Sequence, residues 1–181
     1  INNHRVRNTV HSYGFWRWNR DELNLFKQID PFWKLIRMLN GLSQEEYTNN
    51  VPRDRIIEQV KVNYYPCDTG HVKTFCEPAK WQKTSIRINL NERGLDYENG
   101  GLYFLQANGE KMYAEDYMTT GDALIYVPTV FHGVDVSTEV PDVTLPEPLG
   151  KWDLDASVIQ SYNVENRIKP VKYEEFLKDK N

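Results

Sequence analysis

Apolar residues change their spacing along the chain near position 58. Before that position they recur at intervals of three and four, which is typical of an amphipathic helix. Asp30 and Pro31 form a favoured helix start, and Gly41 forms a favoured end. Residues 19–27 and 43–46 predict further helical segments, the second from the spacing of a capping box. The recurring apolar residues are Phe32, Leu35, Ile36 and Leu39.

Beyond position 58 the spacing is two, which predicts strands. Apolar and polar residues alternate there, and residues 68–70 (Asp-Thr-Gly) predict a tight turn. Short strands separated by Gly, Asn and Asp turns favour an antiparallel sandwich or barrel. The first strand starts near 58, and the others are expected at 72–76, 85–90, 101–105, 123–127, 134–137 and 157–163.

Length and charge narrow the class of protein. A chain of 181 residues fits one domain. We expect a helical brace over 1–57, a β-rich core over 58–165 and a tail over 166–181 that ends in a helix. A net charge of −4 argues against a nucleic-acid partner, which needs a basic face. There is no apolar run of about 18 residues that would span a membrane.

The two cysteines, Cys67 and Cys76, are too few for a disulfide scaffold. They flank the predicted turn at unequal distances, so they would not lie opposite one another in a regular hairpin. We therefore expect free thiols and a soluble protein of the cytoplasm.

Three motifs follow one another through the β-rich region. The first is Phe75-Cys76-Glu77-Pro78, and the second runs from Leu90 through an Arg-Gly-Leu-Asp-Tyr loop to Gly100-Gly101-Leu102-Tyr103. The third is Gly121-Asp122-Ala123-Leu124-Ile125 followed by His132-Gly133-Val134-Asp135. In this order they resemble the 2-oxoglutarate/Fe(II)-dependent oxygenase superfamily, of the prolyl-hydroxylase-like kind. The resemblance implies a double-stranded β-helix (a cupin-like jelly roll), mainly β with N-terminal helices.

The resemblance also implies a site and its cofactors, Fe(II) and 2-oxoglutarate. The family holds iron by His-x-Asp/Glu on one strand and a distant His, which correspond here to Glu77 and His132. Phe75 stands where the first His belongs. Lys151, within Gly150-Lys151-Trp152, stands where an Arg would bind the distal carboxylate of 2-oxoglutarate, and Tyr65 stands where the family has a Tyr near that cosubstrate.

Phe75 and Lys151 both stand at positions where the family binds its cofactors. Residues i and i+2 of a strand share a face, so a ligand at 75 would join Glu77 in a facial triad, but a phenyl ring cannot bind metal. Lys151 offers a point charge without the two-donor fork of Arg. His71 lies about 13 Å away along the strand, and Cys76 points to the opposite face, so neither is expected to compensate.

Arg87 and Asn89 alternate with apolar residues on one predicted strand, so both would face the barrel interior. An inward arginine needs an anionic partner. We therefore expect Arg87 and Asn89 to take part in binding a small-molecule substrate, one that can carry a carboxylate.

Three hypotheses for function stay open. The first is a small-molecule oxygenase, acting by hydroxylation or a related oxidation, with a degraded triad in which Glu77 and His132 hold iron. The second is a metal-independent acid/base enzyme (an isomerase, cyclase or lyase) that uses the same two residues in the same pocket. The third is a non-catalytic pseudo-oxygenase that serves as a binding subunit.

Overall fold

The computed structural model describes residues 7–16, 21–45, 56–77, 82–140 and 149–160. These ranges contain one α-helix, ten strands and a 3₁₀ turn at Ala114–Asp116. The helix α1 is Leu25–Leu39. The strands are β1 (Arg7–Asn8), β2 (His11–Trp16), β3 (Ile56–Pro66), β4 (His71–Phe75), β5 (Gln82–Asn89), β6 (Gly101–Leu105), β7 (Lys111–Tyr113), β8 (Ala123–Tyr126), β9 (His132–Asp135) and β10 (Gly150–Gln160).

The strands form two five-stranded antiparallel sheets. The small sheet has the order β1-β4-β9-β6-β7, and the large sheet has the order β2-β3-β10-β5-β8. Chain neighbours such as β3 and β4 lie in different sheets, so the chain crosses between the sheets repeatedly. This arrangement confirms the predicted β-rich jelly roll.

Helix α1 covers the outer face of the large sheet. Trp33 and Ile36 are fully buried, and they pack with Val60, Ile86 and Leu154 from three neighbouring strands. This apolar layer lies outside the barrel, between the sheet and the helix. Burial of these side chains stabilises the fold at about 25 cal/mol per Å² of apolar surface.

The predicted helix start at Asp30 is wrong, because α1 begins at Leu25 and Pro31 lies inside it. The carboxylate of Asp21 accepts hydrogen bonds from the backbone N–H groups of Leu25 and Phe26, at 2.7 and 3.0 Å. Burial of Phe26 and Ile29 in the layer under the helix outweighs the one hydrogen bond that a proline removes. The amphipathic face therefore begins at Leu25, six residues before the proline.

The prediction of N-terminal helices is confirmed only in part. β1 and β2 are strands, and residues 43–45 form no helix because Glu45 N–H bonds to Ser43 Oγ in a turn. Residue 46 and the predicted tail helix lie outside the described ranges. Of the helices expected in the first third, the described ranges contain α1 alone. None of the helical residues in these ranges forms a segment long and apolar enough to cross a membrane.

The inner face of the large sheet is polar. On β10, Leu154 and Ala156 face α1, so the residues that alternate with them face the small sheet. The small sheet supplies the apolar side of the interior through Val72, Leu102 and Phe104. The polar inner residues, all buried except the half-buried Lys61, are Lys61, Asn63, Tyr65, Ser85, Arg87, Asn89, Lys151, Asp153, Asp155 and Ser157.

Candidate functional site

Phe75, Glu77 and His132 meet at one end of the barrel. β4 and β9 are paired so that Phe75 lies opposite His132, and the two ring centroids are 4.6 Å apart. Glu77 follows β4 by two residues, and its backbone N–H donates to the carbonyl oxygen of Pro128 at 2.9 Å. Glu77 Oε2 lies 3.8 Å from His132 Nε2. The two residues singled out from the sequence are therefore neighbours in space, and their catalytic or metal-binding roles stay predictions.

His132 is a buried, neutral imidazole. Its Nδ1 lies 2.7 Å from the carbonyl oxygen of Val130, which can only accept, so Nδ1 carries the hydrogen and Nε2 presents a lone pair toward Glu77. Burial lowers the pKa of His132 below its usual 6.5, and this effect outweighs the hydrogen bond to Val130, which raises that pKa. Nε2 is therefore a hydrogen-bond acceptor at neutral pH.

Aromatic rings surround the imidazole. The centroids of Tyr126 and Phe104 lie 5.2 and 6.0 Å from that of His132, and Phe75 completes the set. Burial raises the pKa of Tyr126 to about 12, so its hydroxyl stays protonated. The walls around the imidazole are thus ring faces and edges with one neutral hydroxyl.

Arg87 lies in the polar interior with protein carboxylates as its partners. One terminal nitrogen, Nη1, donates to Asp153 Oδ2 at 2.8 Å and to the Tyr65 hydroxyl at 3.0 Å. Nη2 lies 4.0 Å from Asp155 Oδ2. The anionic partner that a buried arginine requires is therefore supplied by the chain itself. Ligand binding by Arg87 and Tyr65 stays a prediction.

Lys151 is likewise paired inside the protein. Its Nζ donates to Glu115 Oε1 at 2.8 Å and to Asn89 Oδ1 at 3.2 Å, and the lysine and glutamate side chains are each 1% exposed. Glu115 Oε1 also accepts from the backbone N–H of Leu102 at 2.9 Å. The carboxylate sits directly over Gly101, where an added Cβ would lie 2.5 Å from it. Only glycine leaves space for this ion pair.

Sequence reasoning did not find the three carboxylates that pair with these cations. Asp153 and Asp155 follow Lys151 at intervals of two, so a strand beginning at Gly150 would have placed all three on one face. The predicted strand began at 157, and that signal was missed. Glu115 lies in a 3₁₀ turn of the chain, and no spacing pattern connects it with Lys151.

Comparison with known proteins supports the architecture. No protein-family model matches the chain, and no curated protein sequence matches it. In structure it is similar to a Pseudomonas putida prolyl-4-hydroxylase, with a TM-score of 0.56 and 13% identity over 87% of this chain and 76% of that one. The fold is a prolyl-hydroxylase-like jelly roll. A prolyl hydroxylase from Trichoplax adhaerens, in complex with a hypoxia inducible factor peptide fragment, also matches this jelly roll, with a TM-score of 0.50 and 10% identity over 92% and 69% of the two chains.

The donor set of this jelly roll does not fit a facial-triad iron site. Glu77 and His132 supply two donor atoms, and the third position is filled by the hydrocarbon ring of Phe75. Among the residues that the structure describes, no group of three or more His, Cys, Asp and Glu side chains is placed to share a metal ion.

Among the residues that the structure describes, the interior does not fit 2-oxoglutarate either. A dicarboxylate needs an uncommitted cation, but Lys151 is paired with Glu115 and Arg87 with Asp153. Asp155 adds a further negative charge beside Arg87. Binding the cosubstrate would require buried ion pairs to break, which costs several kcal/mol per desolvated charge.

Folding stability is expected to fall as the pH is lowered from 6.5 toward the depressed pKa of His132. The unfolded chain binds a proton near pH 6.5 while the folded protein does not, so acid favours unfolding by about 1.4 kcal/mol per unit of pKa difference. Urea unfolding at pH 7.5, 6.5 and 5.5 measures the effect. His132→Gln should have a flatter profile over this window, and an unchanged slope in that variant would contradict the assignment.

Proposed function

We propose that this jelly-roll protein is a small-molecule-acting enzyme that transfers protons without a metal, with Glu77 and His132 as its working pair. The observation that carries the proposal is the approach of Glu77 Oε2 to His132 Nε2 at 3.8 Å in a ring-walled corner of the barrel. A carboxylate and a neutral imidazole at this distance can exchange a proton after a small movement of either side chain.

The two residues have different exposure, which suggests different tasks. The Glu77 side chain is 30% exposed, and that of His132 is 2% exposed. Glu77 is therefore the group that contacts substrate and removes or delivers the proton. His132 lies behind it, where Nε2 can accept the proton while Nδ1 stays bonded to Val130. Returning that proton to another atom of the same substrate gives isomerisation, cyclisation or elimination.

Hydroxylation by iron held between Glu77 and His132 is the second candidate. The observation that favours it is that two donor atoms 3.8 Å apart can share one cation at about 2.0–2.2 Å from each. Two observations argue against it. Phe75 removes one of the usual metal ligands, and the pairing of Lys151 with Glu115 removes the usual cationic partner of the cosubstrate. We therefore place proton transfer first.

Proton transfer is tested by hydrogen–deuterium exchange at carbon in D₂O, with pooled small metabolites followed by ¹H NMR. We expect exchange to persist in excess chelator and to fall by about 10²-fold to 10⁴-fold in Glu77→Gln and in His132→Ala, which is the usual contribution of a general acid or base. His71→Ala, at the other end of β4, should exchange like the parent protein.

Two results would overturn this assignment. Loss of activity in chelator, with recovery on adding Fe(II), would favour hydroxylation. Full biological function in both Glu77→Gln and His132→Ala would favour a non-catalytic binding subunit.

A further inference from the structure

A four-residue turn over 127–130 joins β8 to β9. The backbone N–H of Val130 donates to the carbonyl oxygen of Val127 at 3.2 Å, which closes the turn. Pro128 occupies the second position, where the fixed φ of proline favours such a turn. Pro128 is buried, whereas the other three residues of the turn are exposed. The proline therefore anchors the turn to the protein and restricts its backbone.

Two carbonyl oxygens of the 127–130 turn hold the candidate pair. That of Pro128 accepts from the backbone N–H of Glu77 at 2.9 Å, and that of Val130 accepts from His132 Nδ1 at 2.7 Å. One short turn is therefore bonded both to the chain at Glu77 and to the ring of His132.

The pairing of β4 with β9 does not fix this geometry by itself. β4 ends at Phe75, which is the residue paired with His132, so Glu77 lies beyond the paired part of the strand. The register also shifts between Val72 and Phe75, and a bulge of this kind bends a strand. Placing Glu77 requires a contact beyond the paired residues, and the carbonyl of Pro128 supplies one.

Strand pairing also leaves the imidazole of His132 free to rotate about its Cβ–Cγ bond. A half-turn of the ring would exchange each nitrogen with a carbon, so the lone pair of Nε2 would no longer face Glu77. It would also break the hydrogen bond to Val130. The partner of one ring nitrogen sets the state of the other, so the turn selects both the tautomer and the ring orientation.

We propose that the 127–130 turn aligns the proposed proton-transfer pair, with Pro128 and Val130 as positioning residues that act through their carbonyl oxygens. Both working residues are bonded to one proline-anchored unit, so the 3.8 Å approach of Glu77 Oε2 to His132 Nε2 is set there. The inference rests on the proposed function only for the statement that the aligned pair transfers protons.

The ring of His132 reports on the turn directly. In protein labelled with ¹⁵N-histidine at pH 7.5, the ¹⁵N NMR shifts of the imidazole distinguish the Nδ1–H tautomer from the Nε2–H tautomer. The spectrum of His132→Gln assigns the signals. We expect the parent protein to hold the Nδ1–H tautomer alone. A role in stability alone would leave this signature unchanged in the folded protein.

Two variants loosen the turn by different means. Pro128→Gly frees the φ angle at the second position and removes the buried ring. Thr129→Gly frees the exposed third position without removing a buried side chain. We expect both variants to mix the two tautomers of His132 and to slow carbon exchange by about 100-fold, the loss that a displacement near 1 Å can cause.

Ala107→Gly is the matched control. Ala107 is exposed at the second position of the turn between β6 and β7, where Gly109 N–H donates to the carbonyl oxygen of Gln106 at 2.9 Å. The hydrogen bonds of this turn stay between β6 and β7. The variant should therefore keep the parent tautomer and the parent exchange rate.

The parent tautomer alone in both Pro128→Gly and Thr129→Gly would overturn the proposal, as would the Nε2–H tautomer in the parent protein. Mixed tautomers with carbon exchange at the parent rate would also overturn it, because the orientation of His132 would then not matter to proton transfer. If Pro128→Gly does not fold, Thr129→Gly decides by the same two measurements.

The two proposals fail in distinguishable ways. Mixed tautomers in the turn variants, with no carbon exchange even in the parent protein, would sink the proton-transfer function and leave the turn as the element that orients His132. Chelator-resistant exchange that needs Glu77, with the parent rate and tautomer in both turn variants, would do the reverse.

Discussion

Replacing Phe75 with His is expected to create a divalent metal site. The new imidazole would stand opposite His132 and two residues before Glu77, which completes three donors on neighbouring strands. Groups that only hydrogen-bond to a metal ligand already change affinity by about 10–100-fold, so a whole added ligand should raise Co(II) affinity by roughly 100-fold or more. The visible absorption of bound Co(II) and calorimetry measure the change.

Cys76→His is the matched control for Phe75→His. Position 76 is exposed and follows the last residue of β4, so the same side chain placed there should add no ligand to the Glu77–His132 pair. Co(II) affinity in the parent protein equal to that of Phe75→His would show that the phenyl ring is not what excludes metal.

Replacing Lys151 with Met is expected to destabilise the protein by about 3–5 kcal/mol, the usual cost of leaving one member of a buried ion pair without its partner. The unpaired member would be Glu115, whose carboxylate stays locked between Leu102 N–H and the backbone at Gly101. Urea unfolding at neutral pH measures the loss.

The double variant Lys151→Met/Glu115→Gln is expected to recover most of that stability. Glutamine can keep the hydrogen bond from Leu102 N–H while removing the buried charge. The double-mutant cycle then isolates the ion pair from the packing of the two side chains. If Lys151→Met were as stable as the parent protein, Lys151 would not be committed to Glu115 and could serve an anionic ligand.

The sequence was sufficient to predict the strands beside which Glu77 and His132 lie. Glu77 and His132 were found because three motifs, in their order along the chain, resemble those of the oxygenase superfamily. The pairing of β4 with β9 then brings the two residues together. The replacement of the first iron-binding His by Phe75 was also visible in the sequence, since it concerns one position in one motif.

The partners of Lys151 and Arg87 could not be predicted in the same way. Whether an inward cation is met by a ligand or by the chain depends on which residues face it across the sheets. Glu115 approaches Lys151 from a separate turn, with Gly101 leaving it room. Alternation in β3 predicted a strand but did not say that its apolar face, including Val60, turns outward under α1.

The polar inner row has a consequence for strand alignment. Side-chain hydrogen bonds run from Ser12 to Asn63, on to Asp153 and then to Arg87, and they link four adjacent strands of the large sheet. A slip of β10 by one residue would turn Asp153 into the apolar layer under α1 and Leu154 into the barrel. Burying that charge among hydrocarbon would cost several kcal/mol. The polar inner row therefore disfavours misaligned pairing of β10 during folding, because a shifted strand cannot form these hydrogen bonds.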